Sequence, residues 1–159
     1  MLCVAIAMIV IAATVVDSRT PCTGWHINLH NNHCYRKFCD RKNWADAKAE
    51  CQNVGGYLAQ PKDRESTIFL GALSSSSGDF AWTWIGGERK GNTWYWVDGE
   101  QFTFTWWEHG EPNFYQSNEY CLNLLADYYA RRTHWNDYFC DRRLPYICEV
   151  PQCRDLPTV

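Results

Sequence analysis

The sequence predicts an α+β domain held together by disulfides. Two helical patterns fall in the first half of the chain, and short runs rich in Trp, Tyr, Phe and Thr fill the second. Cysteine is frequent, with nine in 159 residues, a length that suits one domain with a full core.

The first residues stand outside this plan. Leu2 to Val16 is apolar, and polar DSRTP follows. That run is short for a membrane span and has the length of a secretory h-region, although its n-region carries only the α-amino group. Small residues at Val16 and Ser18 place cleavage after Ser18. Residues 1–18 are therefore read as a signal peptide, and 19–159 as a single secreted domain with its core at 22–149. Cys3 leaves with the leader. The remaining Cys22, Cys34, Cys39, Cys51, Cys121, Cys140, Cys148 and Cys153 make an even set in an oxidising compartment, which reads as four disulfides. Spacing alone does not choose among the connectivities. No CxxC pair is present, which disfavours a zinc–cysteine site, and no N-x-S/T sequon marks an N-glycan.

Cys22 to Phe38 reads as a hairpin, with Trp25 and Tyr35 flanking the polar NLHNNH turn. NWADAKAECQN reads as a helix capped by Asn43, with Asp46 near its N-terminus and Gly55-Gly56 ending it. A second helix runs through DRESTIFLGAL, with Asp63 as cap and Ile68, Phe69, Ala72 and Leu73 on one face. SSSSGD then breaks the chain from Ser74 to Asp79. From Trp82 short strands alternate with turns such as VDGE, while Gly87 to Tyr120 shows little regular period. A long irregular segment full of aromatics inside a compact domain points to function rather than disorder. The net charge of −3 gives no electrostatic reason to expect nucleic acid or an anionic membrane.

Eight fragments, GWHINLHNNHCY, NWADAKAEC, GGYLA, WIGG, WYWVDG, GEPN, WND and LPYICE, occur in the order found in C-type lectin-like domains, and the chain resembles that family from Cys22 to Glu149. The resemblance implies a double-looped α+β fold, with two helices, small antiparallel sheets and a long loop carrying a calcium and sugar site. It also implies bridges Cys51–Cys148, Cys121–Cys140 and, for the family's long form, Cys22–Cys34. Cys39 and Cys153 remain. Their pairing with each other is the first expectation, since Cys39 ends the first strand and Cys153 follows the last. A bridge between two chains, giving a homodimer, is the alternative.

At the family's ligand positions stand Glu111, Asn113, Glu119, Asn136 and Asp137. Carboxylates and amide carbonyls suit calcium, a hard cation that takes oxygen ligands, and the resemblance implies that two adjacent sugar hydroxyls complete its shell. Glu offers only acceptors and Asn a donor, so the pair around Pro112 is directional. The family holds the bond before this proline cis, and X-Pro is the common place for a cis bond. Phe114 and Tyr120 stand where a second ion's acidic ligands often lie, so one calcium is expected. The E-P-N order resembles the mannose class, and galactose bound by stacking on an aromatic is the alternative. Trp82, Trp106, Phe114 and Tyr115 are the stacking candidates. Trp84, Trp94, Trp96, Trp107 and Trp135 match the family's core positions.

His26, His30 and His33 have helical zinc spacing but lie on a hairpin, where they do not converge. His109 precedes the motif as an exposed loop residue. The acids could form a glycosidase pair, but they sit among amides with no apolar pocket to raise one pKa, and the resembled family hydrolyses nothing, so no enzyme is expected. A calcium-independent protein-binding or ice-binding domain of the same fold is the rival class. The expected partner is therefore a mannose- or galactose-type glycan terminus recognised outside the cell, in the manner of microbial glycan recognition.

Overall fold

A computed structural model describes residues 22–76, 81–127 and 132–153; the expected leader at 1–18 lies outside them. The chain opens on a hairpin. β1 (His26–Asn28) and β2 (His33–Lys42) pair antiparallel, with His26 opposite Tyr35 and Asn28 opposite His33. Asparagines hold the turn between them: Asn28 Oδ1 accepts from His30 N and Asn31 Oδ1 from His33 N, both at 3.0 Å. Such local bonds are why Asn favours turns.

α1 (Trp44–Asn53) starts where the cap predicts, with Asn43 Oδ1 accepting from Asp46 N at 2.8 Å. It ends at Gly55, whose φ of +80° is cheap only for glycine. α2 (Arg64–Ser75) is capped by Asp63, which accepts from Ser66 N at 2.7 Å. Two expectations for α2 are corrected. The helix continues to Ser75, past the expected break at Ser74, and residues 77–80 of that break lie outside the described set. Its buried face is Ser66, Thr67, Leu70, Gly71, Leu73, Ser74 and Ser75, while Ile68 and Ala72 are exposed. Small residues win this face because the helix packs close to the sheet. A Cβ on Gly71 would lie 1.8 Å from Thr133 Oγ1, and Ser74 Oγ bonds Thr83 Oγ1 at 2.6 Å.

The remaining strands are β3 (Tyr57–Leu58), β4 (Ala81–Lys90), β5 (Thr93–Trp96), β6 (Cys121–Asp127), β7 (Arg132–Tyr138) and β8 (Leu144–Val150). They join the hairpin in one sheet of order β1-β2-β8-β4-β6-β7, with β3 beside β8 and β5 beside β4. All pairings are antiparallel except β4–β8, where Trp84 faces Tyr146 in parallel. That contact fuses the small sheets expected into one. The β4–β5 hairpin also shortens the irregular segment, which begins after Trp96 rather than at Gly87. Trp84, Trp94, Trp96 and Trp135 are buried and Trp107 packs half-buried against them, as expected of core tryptophans.

Two bridges match expectation: Cys51–Cys148 ties α1 to β8, and Cys121–Cys140 braces the segment after the long loop. The other two differ. Cys22 pairs with Cys39, and Cys34 with Cys153, instead of Cys22–Cys34 and Cys39–Cys153. The hairpin register explains the change. Continuing the His26–Tyr35 pairing outward sets Cys22 opposite Cys39, while Cys34 faces Ile27. Cys34 also lies opposite Val150 on β8, just before Cys153 turns back against Asn32 O. All eight cysteines of the described residues are thus bridged within the chain.

Candidate functional site

β7 is the last strand in the sheet order, so one side of its backbone is open to the long loop. Trp135 N donates to Trp106 O and Glu108 N to Trp135 O, each at 2.8 Å. By the two-residue strand period, Asp137 presents its backbone to the same edge. Just beyond, the loop from Glu111 to Glu119 folds over this edge, with a cis bond between Glu111 and Pro112.

Three consecutive backbone N–H groups gather the predicted ligands. Asn113 N donates to Glu111 Oε2 (3.0 Å) and Asp137 Oδ1 (3.1 Å), and Phe114 N to Asp137 Oδ2 (2.9 Å). Tyr115 N donates to Asn113 Oδ1 (2.8 Å) and Glu119 Oε2 (2.9 Å). Phe114 has a φ of +52°, which turns the chain so that its neighbouring N–H groups point the same way. Glu111, Asn113, Glu119 and Asp137 therefore form one cluster. Asn136 joins from β7, its Nδ2 donating to Asn123 Oδ1 at 3.0 Å and to Asp137 O at 2.6 Å. These two bonds fix the amide plane and so the direction of its carbonyl oxygen.

Depth divides the set. Asp137, Glu119 and Asn136 are 0%, 4% and 8% exposed, whereas Glu111 is half-buried and Asn113 exposed. Burial, and then the nearby Asp137 carboxylate, raise the Glu111 pKa above its ordinary 4.5; hydrogen bonds from Asn113 act the other way. Glu119 is raised in the same way, burial again leading. Among the described residues no lysine or arginine pairs with these three acids. Crowded, buried carboxylates are stabilised by a proton or a cation. A donor set of carboxylate and amide oxygens, with no sulfur or imidazole, fits a hard divalent cation.

The aromatic candidates separate by what they touch. The Arg89 guanidinium lies 4.5 Å from the ring centroids of both Phe114 and Tyr120, so Phe114 is half of a cation–π clamp. Trp106 is engaged as well: Nε1 donates to Thr133 O at 2.7 Å, His134 stacks on the ring, and the Arg64 guanidinium lies 5.8 Å from it. Tyr115 is 56% exposed beside the cluster, edge-on to Phe139. Trp82, 37% exposed, packs edge-on against Tyr138.

The histidines do not converge. His30 Nε2 reaches Asp63 Oδ2 at 3.3 Å, and His33 Nδ1 contacts the buried Glu149 Oε1 at 2.5 Å. That hydrogen bond, opposed by burial, raises the His33 pKa. His109 is an exposed loop residue whose N–H donates to Glu108 Oε1. Sequence reasoning missed Arg89 and Glu108. The available signal for Arg89 was the pair of aromatics, Phe114 and Tyr120, standing where acids are common.

Residues 40–150 match the family model described as Lectin C-type domain. The chain is 34% identical over 123 residues to the lactose-binding lectin l-2 of Anguilla japonica, covering 75% of this chain and 72% of that one. It is 31% identical over 158 residues to a C-type lectin mannose-binding isoform of Oxyuranus scutellatus, covering 96% and 97%. Its fold is similar to the carbohydrate-recognition domain of the mouse scavenger receptor C-type lectin, with a TM-score of 0.69, 26% identity, and coverage of 80% of this chain and 95% of that one.

Proposed function

The chain belongs to the C-type lectin domain family, and on that premise we propose a secreted, calcium-dependent lectin with one ion site built from Glu111, Asn113, Glu119, Asn136 and Asp137. Members of this family bind carbohydrate and are not enzymes. The observation that carries the calcium reading is the gathering of Glu111, Asn113, Glu119 and Asp137 by the N–H groups of residues 113–115. Calcium takes about six to eight oxygen ligands, so bound there it would leave coordination for two neighbouring sugar hydroxyls.

The chain's own residues supply the selectivity. Glu111 would accept a hydrogen bond from a sugar hydroxyl, and Asn113 Nδ2, which donates to Glu111 Oε1 at 2.9 Å, would donate to a hydroxyl oxygen. Asp137 and Glu119 stay dry at the floor, where their charge acts most strongly. The E-P-N order resembles that of the mannose class, which uses equatorial vicinal hydroxyls, and mannose is placed first. Galactose is the second reading, favoured by the exposed Tyr115 ring and the similarity to a lactose-binding lectin.

A glycan array probed with and without calcium tests both levels. Mannose-terminated glycans should be retained in calcium and released by chelator. Retention in excess chelator would defeat the ion-site reading, and preferential elution by galactose would replace mannose with the second sugar. No helix among the described residues is long and apolar enough to cross a membrane. Secretion is checked by N-terminal sequencing of the exported protein, expected to begin at Arg19.

A further inference from the structure

A groove of about 210 Å³ takes in Glu108 and His134, and none of the five oxygen-bearing residues of the ion site lines it. Its lining brings the apolar Trp82 and Leu125 together with the polar Glu108, Arg132 and His134. We propose that this groove receives the second ring of a neutral oligosaccharide whose terminal ring sits at the ion site, an inference that rests on the lectin reading above.

Two routes connect the groove to that site. Along β7, His134 and Asn136 are two residues apart and share a face, about 7 Å from one another along the strand. Along the loop, Glu108 O accepts from Glu111 N at 3.0 Å. Trp82 meets the Tyr138 ring edge-on at 4.8 Å and also lines the groove with His134. The indole therefore borders the residues that flank Asn136 on both sides. A sugar held at Asn136 would have its neighbour over this groove.

The lining suits a pyranose. An indole face offers an apolar platform to the C–H side of a sugar ring. In the same lining Glu108 meets His134 Nδ1 at 3.1 Å and Arg132 at 3.7 Å, which places acceptors and donors together. Arg132 is mostly exposed and carries five N–H donors, more than one weak ion pair uses. Glu108 and Asp127 outnumber Arg132, the one permanent cation of the lining, so the groove does not favour a sulfated ring. Its volume is below the roughly 300–1,000 Å³ of sites for drug-sized ligands, which fits one ring rather than a longer glycan.

The test compares two pairs of probes by calorimetry in calcium: methyl α-mannoside with an α-linked mannobiose, and methyl β-galactoside with lactose. For the sugar class that binds, the disaccharide should be tighter by about five- to ten-fold. That ratio should fall toward one in Trp82→Ala and drop by at least half in Arg132→Ser. A calcium titration of each variant reports that the ion site still forms. A wild-type ratio near one for both pairs, or a ratio that survives both substitutions, overturns the groove. Failure of every probe to bind in calcium overturns the lectin reading itself, and the groove with it.

Discussion

Glu119 separates the contributions at the floor of the site. Among the described residues it accepts one hydrogen bond, from Tyr115 N, which a glutamine carbonyl can keep. Glu119→Gln should weaken calcium binding at least about ten-fold, because affinity follows the charge of the ligand set. Removing a carboxylate whose pKa is raised by burial and by Asp137 should leave the ion-free protein as stable as wild type or more so. Thermal denaturation with calcium and with chelator checks both halves, and a lower Tm in chelator would contradict the crowding argument. Acid should act in the same direction. The raised values mean that the ion-free fold holds these protons more tightly than the unfolded chain does, so its stability falls as pH rises through their range. Calcium needs the same groups ionised, so the gain in Tm that it gives should shrink and then vanish as pH falls through the range in which these carboxylates take up protons. Arg89 acts on the same loop from outside. Arg89→Ala frees Phe114 and Tyr120 and should weaken calcium binding several-fold, with partial rescue by Arg89→Lys; equal affinities in a calcium titration would deny the clamp a role. The five oxygen-bearing residues were legible because they lie in short motifs. Arg89 was not, since its partners are brought to β4 only by the folded loop.

The helices and strands show where local pattern misleads. Ile68 and Ala72 have the spacing of a buried face, yet α2 turns Ser66, Gly71, Ser74 and Ser75 inward. Apolar periodicity assumes that burial favours large side chains, and here close approach to β7 favours small ones. Gly71→Ala should cost about 1–3 kcal/mol, because the new methyl meets Thr133 and neither backbone can yield cheaply. Chemical denaturation measures it, and an unchanged midpoint would mean that helix and sheet separate more readily than their packing implies. The same limit shaped the irregular segment. TWYW reads as part of an aromatic run, and only its pairing with Gly87–Lys90 makes it a strand. Both caps, by contrast, were read correctly, because Asn43 and Asp63 act within one turn of themselves.

Across the whole molecule the bridges set the boundaries of what chelation can undo. Cys51–Cys148 spans 97 residues and Cys34–Cys153 spans 119, and neither touches the loop of the ion site. Removing calcium should therefore abolish sugar binding while far-ultraviolet circular dichroism keeps its native form. Peptide mapping without reduction should recover Cys22 with Cys39 and Cys34 with Cys153, and non-reducing electrophoresis should give a band at the monomer mass. A band at twice that mass would restore the interchain alternative. The connectivity was the least legible feature of the sequence, because it depends on strand register, which cysteine spacing does not encode. That register has a spatial result. Residues 22 and 153 are both fastened to β2, and Asp137 lies on β7, four strands away and on the order of 19 Å across the sheet. A tether attached near residue 22 or residue 153 would therefore sit away from the proposed sugar site. Copies fixed side by side on a bead or a surface would present every site in one direction, so density alone could supply the avidity that a single shallow site lacks.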